Sequence, residues 1–428
     1  MTLPESAAIH AHHHVTIIGG GPAGLMAAEV LSQAGVQVDL YDAMPSVGRK
    51  LLLAGIGGLN ITHSEAYDTF CSRYDAEQTQ LQPSLDQFTP ETLCAWIHGL
   101  GIDTFVGTSG RVFPKEMKAA PLLRAWLHRL RQNGVRFHVR HRWQGWCDTD
   151  NSNSTLRITG PEGDIAITTD ATILALGGAS WPKLGSDGAW VSLLKTQGIN
   201  PAPLQSANCG FETPWSTLLK QKFSGEPLKS IAIRFTDHAG KEHQRHGECI
   251  ISREGIEGSL MYALSRPLRE TINAKGSATF TIDLAPERTP EKILDALCRR
   301  GSKSLSSYLK SALGFSTVKT ALLYEVLGKE QISDLKTLAA TIKALPITVH
   351  ATRPIAEAIS TAGGIRFSDI DQNFMIKKLP SVFVAGEMMD WEAPTGGYLL
   401  TACLATGLNA GHGVLNWLTA QDAPSHSA

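Results

Sequence analysis

The chain has 428 residues, of which 43% are hydrophobic and 18% charged, and its formal net charge is −1. At roughly 150 residues per domain, this length fits two or three domains. A near-zero charge without a long basic run argues against a protein whose main task is to neutralise nucleic-acid phosphates. The seven cysteines are scattered and never form a Cys-x-x-Cys pair. We therefore expect free thiols in a cytoplasmic protein, without a disulfide framework or a zinc site.

The first fourteen residues are polar and end in three histidines at positions 12–14. They lack the basic start and apolar core of a signal peptide. A histidine tract could bind metal, but a short terminal tract is more typical of a loose tail, so we expect no resident metal. No run of about 20 uninterrupted apolar residues occurs, and we expect no membrane-spanning segment.

The first structural unit is predicted from a β-branched run at residues 15–18, which indicates a buried parallel strand. The run leads into Gly-Gly-Gly-Pro-Ala-Gly at residues 19–24. Apolar residues then recur at helical spacing until Gly35, which stops the helix. A second strand at residues 36–41 is closed by Asp42. The order strand, glycine turn, helix, strand and acid is typical of a dinucleotide-binding unit.

Each part of this motif has a physical role. Gly19 permits the tight turn, Gly21 lets the backbone approach a pyrophosphate, and Gly24 lets the helix pack against the strand. Pro22 fits the first helical turn, where an N–H group is dispensable. The helix start offers free N–H groups and about +0.5 of charge to phosphates, and Asp42 can accept hydrogen bonds from both ribose hydroxyls. The alternative is a structural turn without a ligand.

The same fingerprint serves FAD and NAD, so later segments must decide between them. Arg49 and Lys50 could reach a phosphate or a flavin ring edge, and a second glycine-dense loop follows them. The backbone from Gly55 to Asn60 could lie flat against an isoalloxazine, although such a loop also occurs as a surface Ω-loop. No second Gly-x-Gly-x-x-Gly follows a strand, so no separate nicotinamide domain is indicated.

Two later strands are predicted to return to the same ligand: residues 171–178, which end in two glycines, and residues 381–387, which end in glycine and an acid. The second continues through Glu387 and Asp390 to Gly397 and Tyr398 at the start of a helix. Either acid would bind ribityl hydroxyls, and the helix N–H groups would face flavin O2 and N1, where the dipole stabilises negative charge. The alternative is a plain strand–turn–helix at the sheet edge.

These motifs occur in one order: Gly-Gly-Gly-Pro-Ala-Gly, Gly-Arg-Lys, Leu-Ala-Leu-Gly-Gly-Ala-Ser-Trp-Pro-Lys-Leu-Gly-Ser-Asp-Gly, and Ala-Gly-Glu-x-x-Asp followed by Gly-Gly-Tyr. From about residue 15 to 418 the chain resembles the bacterial flavoprotein family named after aminoacetone oxidase or bile-acid Δ4,6-reductase. The family's second loop reads Ser-Gly-x-Gly-Arg-Cys-Asn-x-Thr-Asn, and Asn commonly follows Gly-Gly-Tyr. This chain departs from those patterns at Ala54, Gly58, Leu59, His63 and Leu399, so it is similar to a divergent branch.

We predict an α/β fold, with a Rossmann-like FAD-binding domain of the glutathione-reductase type at residues 15–190 and 355–420. A domain inserted at residues 191–354 is predicted from strand-like stretches within about 200–285, interpreted as a β-barrel, and from helical spacing within about 288–345. The resemblance implies the same arrangement. Such an insert commonly forms part of the substrate pocket, which Trp181, Arg253, Glu254, Met261 and Tyr262 are candidates to line.

The predicted function is that of an FAD-dependent oxidoreductase that moves a hydride between flavin N5 and a small organic substrate. NAD(P)H as a transient electron donor, the reaction direction and the oligomeric state are left open. No residue stands out as the catalytic proton donor, although Tyr398, His63 and Glu387 are within reach. The predicted cofactor-binding residues are Gly19, Gly21, Pro22, Ala23, Gly24, Asp42, Ala43, Arg49, Lys50, Gly55, Asn60, Gly386, Glu387, Asp390, Gly397, Tyr398 and Leu399.

Two alternatives belong to other classes. One is a flavin-dependent RNA-modifying enzyme, which would need a basic surface that the net charge of −1 does not suggest. The other is a non-catalytic flavin-binding protein. We expect a small-molecule substrate, no nucleic-acid partner and no membrane association.

Overall fold

A computed structural model describes residues 12–54, 57–147 and 154–422. The chain divides into two compact units: residues up to 205 together with those from 360 form the first, and residues 206–359 form the second. The strands of the described residues, β1 to β20 in chain order, are His14–Ile18, Gln37–Asp42, Thr62–His63, Thr104–Val106, Arg111–Pro114, Arg136–Val139, Arg142–Trp146, Thr155–Gly160, Gly163–Thr168, Ala171–Leu174, Ala202–Ala207, Phe211–Glu212, Pro227–Thr236, Glu242–Ile251, Gly255–Glu257, Ala278–Asp283, Leu345–Val349, Ala351–Thr352, Ser360–Gly364 and Val382–Val384.

Helices alternate with these strands in the first unit and are concentrated in the second half of the insert. The α-helices of the described residues, α1 to α16 in chain order, are Pro22–Gln33, Arg49–Ala54, Tyr67–Cys71, Gln78–Gln87, Pro90–His98, Ala119–Gln132, Trp190–Thr196, Thr217–Phe223, Ser259–Ala263, Ser265–Lys275, Pro290–Cys298, Leu305–Tyr308, Thr317–Val326, Lys329–Ser333, Leu335–Lys343 and Tyr398–Asp422.

A five-stranded parallel sheet forms the centre of the first unit, in the order β20-β10-β1-β2-β6. Apart from their ends, its middle strands are buried and mostly apolar, as is typical of a parallel sheet with helices on both faces. β1 lies between β2 and β10, so later strands are added to the sheet on both sides of it. Ligands of open α/β sheets bind at such a switch point, beyond the carboxyl ends of the strands.

The helix α1 packs closely against the long carboxy-terminal helix α16. A side chain at Gly407 would place its Cβ 2.3 Å from the carbonyl oxygen of Ala23, and one at Gly411 would meet Val30 Cβ at 2.8 Å. The two helices can approach this closely because both positions lack a side chain. Three smaller sheets complete the unit: β3-β5-β4, β7-β8-β9 and β11-β19.

The second unit has a seven-stranded sheet in the order β17-β16-β13-β14-β15-β12-β18, antiparallel at each pairing. Helices α11, α12, α13 and α15 bury apolar residues in the same core as this sheet, including Ile293, Leu297, Leu322 and Ile342. The predicted α/β class with a Rossmann-like domain is confirmed. The strands of the insert, predicted as a β-barrel, form this seven-stranded antiparallel sheet, with helices beside it.

The first unit extends further than the predicted domain end at residue 190. Helix α7 and the turn after it belong to it, because Trp190, Leu194 and Ile199 are buried in the core shared with the parallel sheet. In the structure the chain passes from the first unit to the second between residues 205 and 206, and returns between residues 359 and 360.

Among the helices of the described residues, none has both the length and the apolar character needed to cross a bilayer, and this includes the 25-residue α16.

Candidate functional site

The turn between β1 and α1 is closed by two glycines that have no room for a side chain. Gly19 has a φ of +109°, and a Cβ there would lie 2.2 Å from the Ala175 carbonyl oxygen at the end of β10. A Cβ at Gly24 would lie 2.0 Å from the Gly19 carbonyl oxygen. Both residues must be glycine for the strand–turn–helix to close.

Gly21 differs from both of these glycines. Its φ is −80°, which any residue can adopt, and a Cβ there would meet no protein atom within 4 Å. Gly21 lines the cavity described below, at the start of α1, where the first helical N–H groups lack partners within the helix. The protein therefore leaves empty space beside Gly21, on the side that faces the cavity.

Asp42 closes the same turn from the end of β2. Its Oδ2 accepts a hydrogen bond from the Gly20 N–H at 2.9 Å, and its Oδ1 accepts one from the Met44 N–H at 2.8 Å. Burial raises the pKa of Asp42, and these two hydrogen bonds oppose that effect. Each carboxylate oxygen keeps acceptor capacity for a further donor such as a ribose hydroxyl.

Arg49 and Lys50 lie in the first turn of α2, immediately beyond this turn. The Lys50 ammonium donates to Ser180 Oγ at 2.6 Å and to Glu387 Oε2 at 2.7 Å. Glu387 Oε1 accepts from the Thr361 N–H at 2.9 Å. Lys50 and Glu387, predicted as separate ligand contacts, thus form an ion pair in which the carboxylate is only 6% exposed.

A cavity that is partly open to solvent lies beyond the carboxyl ends of the parallel strands. Ten of the predicted residues line it: Gly19, Gly21, Pro22, Ala23, Asp42, Ala43, Arg49, Lys50, Gly386 and Glu387.

Three cavity-lining residues have buried polar atoms without a hydrogen-bond partner among the described residues: Arg49 Nε, Trp143 Nε1 and Ser186 Oγ. Two of them are obligate donors and the third can donate. Buried donors normally find an acceptor. The cavity therefore suits a ligand rich in acceptors, such as a pyrophosphate with carbonyl-bearing rings.

Two walls of the cavity were not predicted from the sequence: residues 141–143, and residues 184–187 with 189 and 190. The backbone N–H of His141 donates to the Asp42 carbonyl oxygen at 2.9 Å, and Arg142 pairs with Asp187 at 2.8 Å, which joins the walls. The parallel pairing of β6 with β2 could have placed the first wall beside Asp42. The motif Gly-Ser-Asp-Gly at residues 185–188 belongs to the family resemblance, which could have indicated the second wall.

The remaining predicted residues do not line this cavity, and Gly55 lies outside the described residues. Gly24 packs inside the turn, and Asp390 and Leu399 lie elsewhere in the first unit. Asn60 donates from its amide to the carbonyl oxygens of Thr62 and Val112, while its own Oδ1 is buried without a described partner.

Gly397 and Tyr398 belong to a separate cluster around β3. A Cβ at Gly397 would lie 2.5 Å from Thr62 Cα, so the start of α16 contacts that strand directly. Tyr398 donates its hydroxyl proton to Glu65 Oε1 at 2.6 Å, and its ring stacks on His63. Burial, followed by the hydrogen bond to Glu65, raises the pKa of Tyr398 well above its usual value. Its proton is committed to Glu65.

The pocket-lining candidates Trp181, Arg253, Glu254, Met261 and Tyr262 are not among the residues of this cavity either. Cys403 does line it, and burial raises the pKa of its thiol to about 12. The thiol therefore stays protonated at neutral pH and is a poor nucleophile. All described cysteines are free.

A family model described as the HI0933-like protein Rossmann domain matches residues 13–413. The 3-dehydro-bile acid Δ(4,6)-reductase of Clostridium scindens is 25% identical over 420 residues, which are 93% of this chain and 98% of that one. The ribosomal RNA dihydrouridine synthase of Escherichia coli is 22% identical over 391 residues, 89% of this chain and 93% of that one.

Two solved structures are similar in fold. An open conformation of a flavocytochrome c3 fumarate reductase matches with a TM-score of 0.51 at 14% identity, over 97% of this chain and 80% of that one. The 3-ketosteroid Δ1-dehydrogenase of Sterolibacterium denitrificans matches with a TM-score of 0.50 at 10% identity, over 96% and 99%.

Proposed function

Since the chain belongs to the family of HI0933-like Rossmann-domain proteins, we propose that it is an FAD-dependent oxidoreductase acting on a small organic substrate. The observation that carries this proposal is the cavity at the switch point, where buried donors of Arg49, Trp143 and Ser186 have no described partner. FAD offers acceptors for such donors along its pyrophosphate and at its ring carbonyls. When bound, it would supply hydride transfer at N5.

The residues at the turn would hold the adenine-nucleotide half. The free N–H groups at the start of α1 bind the pyrophosphate, because the helix dipole favours negative charge there and Gly21 leaves room for close approach. Asp42 accepts from ribose hydroxyls with its remaining lone pairs. Arg49 neutralises part of the phosphate charge, since its guanidinium belongs to a residue that lines the cavity.

The Lys50–Glu387 pair would orient the remainder of the cofactor. Glu387 accepts from ribityl hydroxyls, while Lys50 and the Thr361 N–H fix its carboxylate in one position. Neither Tyr398, whose proton is held by Glu65, nor the protonated Cys403 is set up as a general base.

For the substrate we propose a compound with a double bond conjugated to a carbonyl, with NAD(P)H as the electron donor. The support is the relative named as a 3-dehydro-bile acid reductase, which this chain matches over nearly its full length. Such an enone accepts hydride at carbon and a proton at the neighbouring position. Both electrons come from the nicotinamide, which is oxidised to NAD(P)⁺.

The test is anaerobic reduction of the purified protein. FAD bound by the protein should bleach on addition of NADH or NADPH and recover its absorbance when a steroid enone is added. Quinones and O2 serve as competing oxidants that separate a reductase from an oxidase. A colourless protein that cannot be reconstituted with FAD would contradict the proposal. Recovery of the flavin absorbance with O2 but not with the enone would indicate an oxidase instead of an enone reductase.

A second candidate is a flavin-dependent RNA-modifying enzyme, which one observation favours. The second unit has 21 lysines and arginines against 16 acidic residues, a formal charge of +5, while the rest of the chain has 18 against 24, a charge of −6. The overall charge of −1 hides this asymmetry. A relative matched over 89% of the chain is named as a ribosomal RNA dihydrouridine synthase.

RNA binding separates the two candidates. An RNA-modifying enzyme should bind ribosomal RNA fragments with an affinity that falls steeply with salt, because binding releases counterions from phosphates. An enone reductase should not bind these RNA fragments at any salt concentration tested. Dihydrouridine in RNA incubated with the reduced protein would decide for the second candidate.

A further inference from the structure

The two histidines that begin the described chain lie beside the last described residue of α16. His12 Nε2 is 3.3 Å from Asp422 Oδ1, and His13 Nε2 is 2.9 Å from Asp422 Oδ2. One donor atom from each residue can be chosen so that all three lie within 4.8 Å of one another. Ligands around a tetrahedral Zn²⁺ with bonds of ~2.0–2.2 Å are about 3.4 Å apart, so this spacing needs only small side-chain rotations.

His13 is held in place before any ion binds. Its carbonyl oxygen accepts from the Gln37 N–H at 3.1 Å, and its side chain is only 10% exposed. Its other ring nitrogen, Nδ1, faces Asp170 Oδ2 at 3.6 Å. Without an ion, Nε2 donates its proton to Asp422. A bound cation would take the place of that proton, and Nδ1 would then carry the ring proton on the side of Asp170. This carboxylate–histidine arrangement is typical of metal-binding histidines.

The electrostatic setting also favours a cation. Asp422 is the last residue of α16, where the helix dipole is negative and a carboxylate is unfavourable. A divalent cation would compensate both the carboxylate and the helix end. The sequence alone favoured a loose histidine tail, because nothing in it placed residue 422 next to residues 12 and 13.

We propose that His12, His13 and Asp422 bind a divalent transition-metal cation of the zinc class, with water at the fourth position. Two imidazoles and one carboxylate form a donor set that Zn²⁺ accepts. None of the three residues lines the cavity, so the ion does not take part in the reaction proposed above. It joins the first strand to the last helix and stabilises the first unit by mass action.

Calorimetric titration of the untagged, chelator-stripped full chain with Zn²⁺ tests the proposal. One ion should bind per chain, with a dissociation constant of about micromolar or below, and Zn²⁺ should raise the melting temperature. Asp422→Asn and His12→Gln, both at exposed positions, should each weaken binding by more than about tenfold. His246→Gln removes an exposed histidine elsewhere and should change nothing.

Two results would overturn the site. Binding by Asp422→Asn as tight as that of the parent chain would show that the histidine tract alone holds the metal. No binding by the parent chain would show that there is no site. Melting curves measured in the presence of a chelator check that both variants fold. If Asp422→Asn is unstable, the zinc affinity of His12→Gln tests the site instead.

Discussion

At the scale of single residues, the glycines of the first turn owe their identity to different neighbours. Gly19 and Gly24 are required by protein atoms about 2 Å from where a side chain would begin. Gly21 is not, because its Cβ would meet no protein atom. No contact within the protein requires glycine at this position, so the requirement would come from a ligand. A substitution of Gly21 therefore tests ligand binding without disturbing the fold.

We expect Gly21→Ala to fold normally and to bind FAD more than about tenfold more weakly, a loss of ~1.4 kcal/mol or more, because a methyl group occupies the position of the pyrophosphate. Gly328→Ala is a matched control. Gly328 also precedes a helix, has a similar φ of −71°, and would place a Cβ no closer than 3.6 Å to another atom. FAD affinity is measured by fluorescence titration of the apoprotein. Unchanged affinity in Gly21→Ala would mean that the pyrophosphate is bound elsewhere.

At the scale of elements, the Lys50–Glu387 pair connects α2 to the segment after β20, and through Ser180 to the segment after β10. Lys50→Met leaves the buried Glu387 carboxylate without its cation, and we expect the free energy of unfolding to fall by about 3 kcal/mol. Urea unfolding measures the loss. The double variant Lys50→Met/Glu387→Gln should recover most of it; if the double variant is as unstable as the single one, the pair is not the cause.

A second inter-strand contact predicts behaviour in acid. Burial alone would raise the pKa of Asp39 on β2, but hydrogen bonds from His14 on β1 and from Arg136 and His138 on β6 hold it well below its usual range. A carboxyl group with a lowered pKa in the folded state stabilises the fold above its unfolded pKa of ~3.9, and this contribution is lost as the pH falls below that value. Unfolding free energies measured between pH 5 and pH 3 should therefore fall more steeply for the parent chain than for Asp39→Asn. Equal slopes would contradict this role of Asp39.

At the scale of the whole molecule, the second unit leaves and re-enters the first at neighbouring points. Ser206 Oγ donates to the Arg353 carbonyl oxygen at 2.7 Å, and the Ile359 N–H donates to the Asn208 carbonyl oxygen at 3.3 Å. Insertions with adjacent ends tolerate removal. We expect a chain in which a short Gly/Ser linker replaces residues 206–359 to fold and retain FAD. Circular dichroism and bound-flavin absorbance measure the outcome; an unfolded product would argue against two independently stable units.

Local sequence determined the first unit to a large extent. The glycine turn, Asp42 and the apolar strands predict a parallel sheet with a ligand at its switch point, since each signal depends on neighbours within a few residues. The family predicted from the order of the motifs is confirmed by the match over residues 13–413. For the same reason, most of the predicted residues between Gly19 and Lys50 line the cavity.

Only the tertiary structure decided which distant residues meet. It paired Lys50 with Glu387, turned Tyr398 towards Glu65, brought residues 141–143 beside Asp42, and set Asp422 beside His12 and His13. These contacts join residues up to 410 positions apart, and no periodicity or spacing along the chain encodes them. They depend on how helices and sheets pack, which is a property of the whole core and not of any one segment.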